Sequence, residues 1–423
     1  MAQRWVQRCS DAKGVPTPPD RALVSTSRAA AVGVRPAPSE RPGRRLLVAS
    51  HPAVISVNQE VYRELARRGW AVEIVVPRRW SHSYSDAPVV PRALPGLEDS
   101  LRPTPVVFAG RPQRHFYLAR CGAICRRFAP DVGFVEAEPF SFAALQWRGA
   151  FARRGVPFGV QCYENIDRAL PAPVRRMRSR VLADAAFVAA RSDTAARLAR
   201  DWGARGEVGL APPAVPPWSQ VEAPASTRPF TVGYAGRLVP SKGLSDLLDA
   251  VRSLQAPVEM LLIGQGEMRA ELEGQPIPGS NVVVLDDLAH DEMAGGYARL
   301  DVLVLPSHTT ATWKEQFGRV IVEALWCGVP VVGSDSGEIP WLIELTGGGL
   351  TFREGDVAEL AERLSRLRGD PQLRRQLAAS GHAAVERLFS VPAATDALER
   401  LLLGAIERGG AQRPARPSAA SEA

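Results

Sequence analysis

Two cations and two carboxylates could do chemistry because of what stands around them. The run Gly233-Tyr234-Ala235-Gly236-Arg237-Leu238-Val239-Pro240-Ser241-Lys242-Gly243 leaves a strand-like segment and opens a helix-like one. Gly236 allows a tight exit, Arg237 and Lys242 supply positive charge, and the helix start supplies unpaired N–H groups. Such a set of donors suits an anion, and a diphosphate best. The chain holds only three lysines, Lys13, Lys242 and Lys314, and uses arginine elsewhere. A lysine at 242 therefore points to a need for a compact charge. Two surface cations on a solvated loop are the competing reading.

The second run is Trp313-Lys314-Glu315-Gln316-Phe317-Gly318-Arg319-Val320-Ile321-Val322-Glu323-Ala324. Its periodicity predicts a helix over 318–326, which Gly328 and Pro330 end. Glu315 then lies at the helix mouth and Glu323 about a turn and a half inside. The unpaired N–H groups near Phe317, Gly318, Arg319 and Val320 fall between them. A phosphate site flanked by two acceptors for hydroxyl groups is what a nucleotide sugar requires. An acid favoured by the helix dipole at 315 and a helix-surface acid at 323 are the alternatives.

These residues need elements to hold them, and the sequence supplies an alternation of short apolar runs and helical patterns. Runs at 46–49, 72–77, 131–135, 158–161 and 186–189 read as strands, with a helix over 59–68. After a proline-rich break at 211–229 the alternation restarts. Strands are predicted at 230–235, 258–264, 281–285, 301–306, 329–333 and 349–352. Helices are predicted at 243–254, 291–298, 318–326 and 357–367. The expected fold class is α/β, with two Rossmann-like doubly wound domains facing across a cleft. The expected division is a disordered leader at 1–42, a first domain at 43–215 and a linker at 216–229. A second domain at 230–390 follows, then a helix at 391–408 with the option of crossing back to the first domain, and a disordered tail at 409–423.

The 423-residue chain is 45% hydrophobic and 23% charged, which excludes wholesale disorder and a fibrous repeat. No apolar run approaches the ~18 residues that span a bilayer, and the N-terminus lacks the apolar core of a secretory signal. The five cysteines at 9, 121, 125, 162 and 327 form no Cys-x-x-Cys pair. A disulfide scaffold or zinc site is not expected, and reduced cytosolic thiols are. Charge is divided unevenly. Residues 1–215 carry 33 Lys+Arg against 18 Asp+Glu, and residues 216–423 carry 19 against 27. A basic half attracts an anionic acceptor or an anionic membrane surface. Two stretches offer the contact: Arg114, Arg120, Arg126 and Arg127 with Phe116 and Tyr117, and Arg175, Arg176, Arg178 and Arg180 with Met177 and Val181. Both read as basic amphipathic helices or as solvated helix faces. No nucleic-acid-binding motif accompanies the charge.

The Gly-Arg-Leu-x-x-x-Lys-Gly run at 236–243, the Glu-x7-Glu run at 315–323, and Gly-Val-Pro-Val-Val-Gly-Ser-Asp-Ser-Gly-Glu-Ile-Pro at 328–340 occur in this order. Together they resemble the family-4 (group 1) retaining glycosyltransferases of the GT-B fold, strongly over 230–390 and weakly over 45–215. The resemblance implies that Arg237 and Lys242 hold the donor diphosphate and stabilise it as leaving group. It makes Glu315 the partner of the donor-sugar hydroxyls and Glu323 that of the ribose. Phe317, Gly318, Arg319 and Val320 would offer backbone N–H groups. Gly264 and Gly266 match the family's Gly-x-Gly turn and, with Gly236, count among the donor-binding residues it implies; 284–288 would lie near the base, and Ser336-Gly337-Glu338 matches a donor-side loop. The first domain departs from the pattern. His51-Pro52-Ala53-Val54-Ile55-Ser56 stands where many relatives carry a Gly-Gly loop, and Tyr163-Glu164-Asn165 where they carry His-Asp. His51, Glu136, Glu138, Tyr163 and Glu164 are the acceptor-side candidates, with ordinary loop acids as the alternative for the carboxylates.

The activity so implied is metal-independent, hexosyltransferase-type transfer with retention, from a nucleotide-diphosphate sugar to a saccharide or lipid-linked acceptor. Cell-envelope, exopolysaccharide or glycolipid synthesis is the expected setting. The place is cytoplasmic, with a peripheral seat on the inner face of the plasma membrane as a further option. The chain has no Asp-x-Asp motif, so the two cations take the part of a metal and no cofactor is expected beyond the nucleotide sugar as co-substrate. A nucleotide-sugar epimerase of similar fold and a non-catalytic nucleotide-sugar-binding relative are the alternatives. A dehydrogenase is disfavoured, because the first strand is not followed by Gly-x-Gly-x-x-Gly.

Overall fold

The computed structural model describes residues 43–81, 87–218, 228–254, 257–273, 281–286 and 288–411. The leader expected over 1–42, most of the 216–229 linker and the tail beyond 411 lie outside the described residues. The first lobe carries β1 (Arg45–Ser50), β2 (Ala71–Pro77) and β3 (Leu101–Thr104). A short antiparallel ribbon, β4 (Val106–Val107) with β5 (Phe116–Tyr117), stands apart. Then follow β6 (Val132–Glu136), β7 (Phe158–Cys162), β8 (Phe187–Ala190) and β9 (Glu207–Leu210). All seven strands of the sheet run parallel in the order β3-β2-β1-β6-β7-β8-β9. A parallel sheet is covered on both faces, which is why its inner strands read as continuous apolar runs; the partly exposed edge strands Leu101–Thr104 and Glu207–Leu210 do not, and were not expected.

The second lobe is built from β10 (Thr231–Ala235), β11 (Glu259–Ile263), β12 (Asn281–Leu285), β13 (Val302–Leu305), β14 (Val331–Ser334) and β15 (Gly349–Phe352). They form a parallel sheet in the order β12-β11-β10-β13-β14-β15. The fold class is therefore the expected one. In each lobe the first strand lies inside the sheet, third from one edge, and the loops at the carboxyl ends of the strands are where ligands of such sheets bind.

Several element limits differ from the sequence reading. The helix expected over 291–298 shrinks to Met293–Tyr297, where Gly295 and Gly296 weaken helix formation. The strand expected from 329 begins at Val331, past Pro330, which has no N–H to donate. The nineteen-residue helix Pro371–Phe389 carries no strong apolar period and was not expected. The last helix runs from Val391 to Ala411, three residues into the stretch expected to be a tail.

That last helix begins where the second lobe ends. Phe389 belongs to the second lobe's core, whereas Leu398, Leu401, Leu402 and Ala405 are buried in the first lobe with Val132, Phe134 and Phe187. Arg68 bridges to Asp396 and Glu399 of the helix, and Trp70 Nε1 donates to Glu399 at 2.7 Å. The other face of the same sheet is covered by Cys121–Phe128, Phe142–Ala152 and Ala172–Asp184, which bury Cys125, Trp147 and Val181.

Candidate active site

The second lobe's loops are locked together by backbone. Gly236 N donates to Ile263 O, and Leu238 N to Gln265 O, so the exit of β10 lies along the exit of β11. Gly264 has φ 144°, and a Cβ there would sit 1.9 Å from Gly236 O. Only glycine allows that approach. The result is a flat, side-chain-free floor formed by Gly236, Gly264 and Gly266.

Lys242 closes a single 3-10 turn, Pro240–Lys242, and its side chain is largely buried. Its Nζ lies 2.6 Å from Glu315 Oε2 and 4.4 Å from the centroid of the Trp313 ring. Ser307 Oγ donates to the same carboxylate oxygen at 3.1 Å. The structure thus brings together two residues that are 73 positions apart. Arg237 is exposed at the same loop. Tyr234 OH donates to Arg237 O at 2.7 Å, and burial raises its phenol pKa, with Glu315 adding to the rise and Arg237 opposing it. Arg237 and Lys242 thus stand on one loop, and Lys242 meets Glu315.

Glu323 is buried on the helix Arg319–Trp326. Tyr297 OH donates to its Oε2 at 2.8 Å, and Arg319 Nε lies 3.1 Å from its Oε1. Burial raises the Glu323 pKa, while Arg319 and Tyr297 hold it down. Gly318, at φ 71°, is the N-cap that opens this helix. Phe317 packs its ring on Trp341 and Phe389, so only its backbone can face a ligand. The Arg319 guanidinium turns to the first lobe, donating to Asn58 Oδ1 at 3.0 Å and Ala214 O at 3.4 Å. Val320 is half-buried against the core. Of 284–288, Asp287 lies outside the described residues, and Asp286 is paired with Arg269.

The first-lobe candidates divide into three groups. His51 is buried in an aromatic stack, 4.9 Å from Trp80 and 5.1 Å from His115 by ring centroids. Glu136 is buried and accepts from Ser50 Oγ at 2.5 Å and Tyr62 OH at 2.9 Å, with Arg191 3.4 Å away. It lines a cavity of about 60 Å³ with Gln161, Arg191, Asn58 and Arg319. Glu138 and Glu164 brace the loop after β7. Glu138 Oε1 accepts from the N–H groups of Tyr163 and Glu164 at 2.7 and 2.8 Å, and Glu164 holds Asn165 N and Arg168 Nε. Burial pushes the Glu138 carboxyl up to about 8. The two basic stretches are corrected by packing. Met177, Val181 and Tyr117 are core residues, so neither apolar stripe is free to enter a membrane. Arg175, Arg176 and Arg180 remain exposed on Ala172–Asp184.

Tyr297, Ser307, Trp313, Asn58 and Asn165 join the site without having been singled out for it. Their signal was weak: each is a lone polar or aromatic residue, and all but Ser307, eight positions from Glu315, have partners distant in sequence. Only Trp313 and Asn165 lie within motif stretches already quoted.

Residues 229–370 match the family model described as glycosyl transferases group 1. A mannosyltransferase of Corynebacterium glutamicum, described as GDP-mannose-dependent and acting on a monoacylated phosphatidylinositol monomannoside, is 33% identical over 160 residues. That stretch is 36% of this chain and 42% of the relative, so the chain spans less than half of it. Sucrose-phosphate synthase from Thermosynechococcus elongatus superposes with TM-score 0.63 at 18% identity, covering 85% of this chain and 98% of its own. Anabaena HepE, solved with UDP, gives TM-score 0.59 at 18% identity over 85% and 99%. The fold is GT-B.

Proposed function

We propose that this chain, whose residues 229–370 belong to the group 1 glycosyl transferases, moves a sugar from a nucleotide-diphosphate donor to a saccharide or lipid-linked acceptor. The observation that carries the reading is the meeting of Lys242 and Glu315 in the lobe whose β10 and β11 exits are glycine-lined and carry Arg237. In that place Arg237 and Lys242 bind the diphosphate, and their charge offsets the charge that grows as the sugar C1–O bond breaks. Lys242 passes from Glu315 to the phosphate, and Glu315 accepts from sugar hydroxyls. Glu323 accepts from the ribose diol through the lone pairs that Tyr297 and Arg319 leave open. The acceptor oxygen forms the new bond to C1, and its proton leaves with the diphosphate.

Retention of configuration follows from the family resemblance. Two preorganised cations supply the charge that a metal would supply, so transfer proceeds without one. The UDP in the HepE structure supports UDP as the first donor nucleotide to try, and the GDP-mannose of the C. glutamicum relative supports GDP as the second. That relative's lipid acceptor supports a lipid-linked one here. The exposed arginines of Ala172–Asp184 then meet an anionic membrane surface from the cytoplasmic side, by headgroup contact alone.

Thermal unfolding with UDP, GDP, ADP and CMP at equal concentration tests the donor side. A ligand at ~100 times its Kd adds about 2.7 kcal/mol, a shift of several degrees. One nucleoside diphosphate should give that shift, and Arg237→Ala should lose it while keeping the unliganded midpoint. No shift with any of the four, or an equal shift in the variant, would refute the reading.

A further inference from the structure

The stretch between β13 and the helix Arg319–Trp326 carries Glu315 and has no regular secondary structure. Its carboxylate end is held by its own lobe, through Lys242 and Ser307. Its backbone is held from the other lobe. Asn165, 2% exposed in the loop after β7, donates from Nδ2 to Glu315 O at 2.7 Å. Glu338 N donates to the same carbonyl at 3.0 Å. A Cβ on Gly337 would meet that carbonyl at 2.0 Å, so the 336–338 loop lies flat against it.

Two further observations set Asn165 apart from an ordinary loop amide. Its Oδ1 is buried without a hydrogen-bond partner among the described residues, so its orientation is fixed by the Nδ2 contact at the expense of an unsatisfied acceptor. The buried Glu338 carboxyl meets Thr194, Ser192 and Asn165 of the first lobe and the charge of Lys314; burial raises its pKa and these four groups lower it. The contact therefore belongs to a seam in which first-lobe polar groups meet the loops that flank Glu315.

We propose that Asn165 is a positioning residue for transfer. By holding the Glu315 carbonyl it sets the Glu315 carboxylate and its partner Lys242 in register, so that the sugar-binding end of the site is complete only when the first lobe is seated. This rests on the reading of Glu315 as the partner of the donor sugar. It goes beyond that reading by making the first lobe part of the donor site.

The test compares wild type, N165A and N165D in the full chain, by amide hydrogen exchange and by steady-state transfer from the nucleotide sugar whose diphosphate shifts the melting curve. Exchange over 309–318 should quicken in N165A, with the core strands unchanged. Its kcat should fall about tenfold, the size expected for one lost positioning hydrogen bond, and its affinity for the nucleoside diphosphate, which lacks the sugar, should stay within about twofold. In N165D the introduced carboxylate faces a carbonyl and Glu338, so kcat should fall further at pH 8. It should recover toward pH 5, as the protonated carboxyl regains a hydrogen to donate. N165A should show no such recovery, and a merely structural role would not create one. Unchanged exchange over 309–318 in N165A, or matching pH profiles for the two variants, would overturn the proposal. Failure of wild type to bind any nucleoside diphosphate would instead refute the donor reading, and the exchange arm would still judge the contact between the lobes.

Discussion

At the scale of single residues, the site depends on charges being paired before any ligand arrives. Lys242 and Glu315 are both largely buried, and neither is left alone. An uncompensated charge in that place would cost several kcal/mol, so each holds the other until an anion and a hydroxyl replace it. Glu138 solves the same problem differently. Among the described residues it has no cationic partner in contact, and burial pushes its carboxyl up to about 8. Its folded pKa therefore lies above its unfolded value. The stability it contributes is full below pH ~4.5 and is lost as pH rises through ~8. Glu138→Gln keeps an oxygen for the Tyr163 and Glu164 N–H groups and removes the titration. Between pH 6 and 9 the variant's unfolding midpoint should fall by several degrees less than that of wild type. Parallel curves for the two proteins would show that Glu138 is ionised in the fold already at pH 6.

At the scale of elements, a strand and the loop that leaves it are set by different forces. The strands form because apolar runs are buried on both sides of each sheet. The loops are set by backbone contact, and Gly264 is where this is most severe. Replacing it by alanine sets a methyl group against Gly236 O at 1.9 Å, on a backbone with φ 144°. The strain is of order 1–3 kcal/mol, and it is relieved only by parting the two loops that form the anion floor. Gly264→Ala should lower the melting midpoint by several degrees and weaken the nucleoside diphosphate shift more than tenfold in apparent affinity. A variant with the wild-type nucleotide affinity would show that the floor tolerates separation and that the side chains alone bind the anion.

At the scale of the whole molecule, the final helix joins the lobes, since it leaves the second lobe's core at Phe389 and buries Leu398, Leu401 and Leu402 in the first. The excess of positive charge stays on the first lobe, where Arg175, Arg176 and Arg180 are exposed. Flotation with vesicles rich in anionic lipid should carry the protein at low salt and release it at high salt, because exposed charges are screened within ~10 Å at 0.1 M. Absence from the anionic vesicles at low salt would remove the membrane surface as a partner. The inner strands of both sheets were legible in the sequence, because burial on both faces needs unbroken apolar runs, whereas the edge strands Leu101–Thr104 and Glu207–Leu210, partly exposed and without such runs, were not. The sequence also showed the Arg237–Lys242 and Glu315–Glu323 runs, because each is a local turn or helix start. Folding in three dimensions set how those runs meet: Lys242 on Glu315, Arg319 on Asn58, Asn165 on the Glu315 carbonyl. Those contacts join residues 73, 261 and 150 positions apart. Periodicity carries no record of such pairings, because the first follows from the packing of two loops within one lobe and the other two from the packing of one lobe's loops against the other's. The same holds for Met177 and Val181, whose basic neighbours suggested a membrane face and whose side chains packing turned inward.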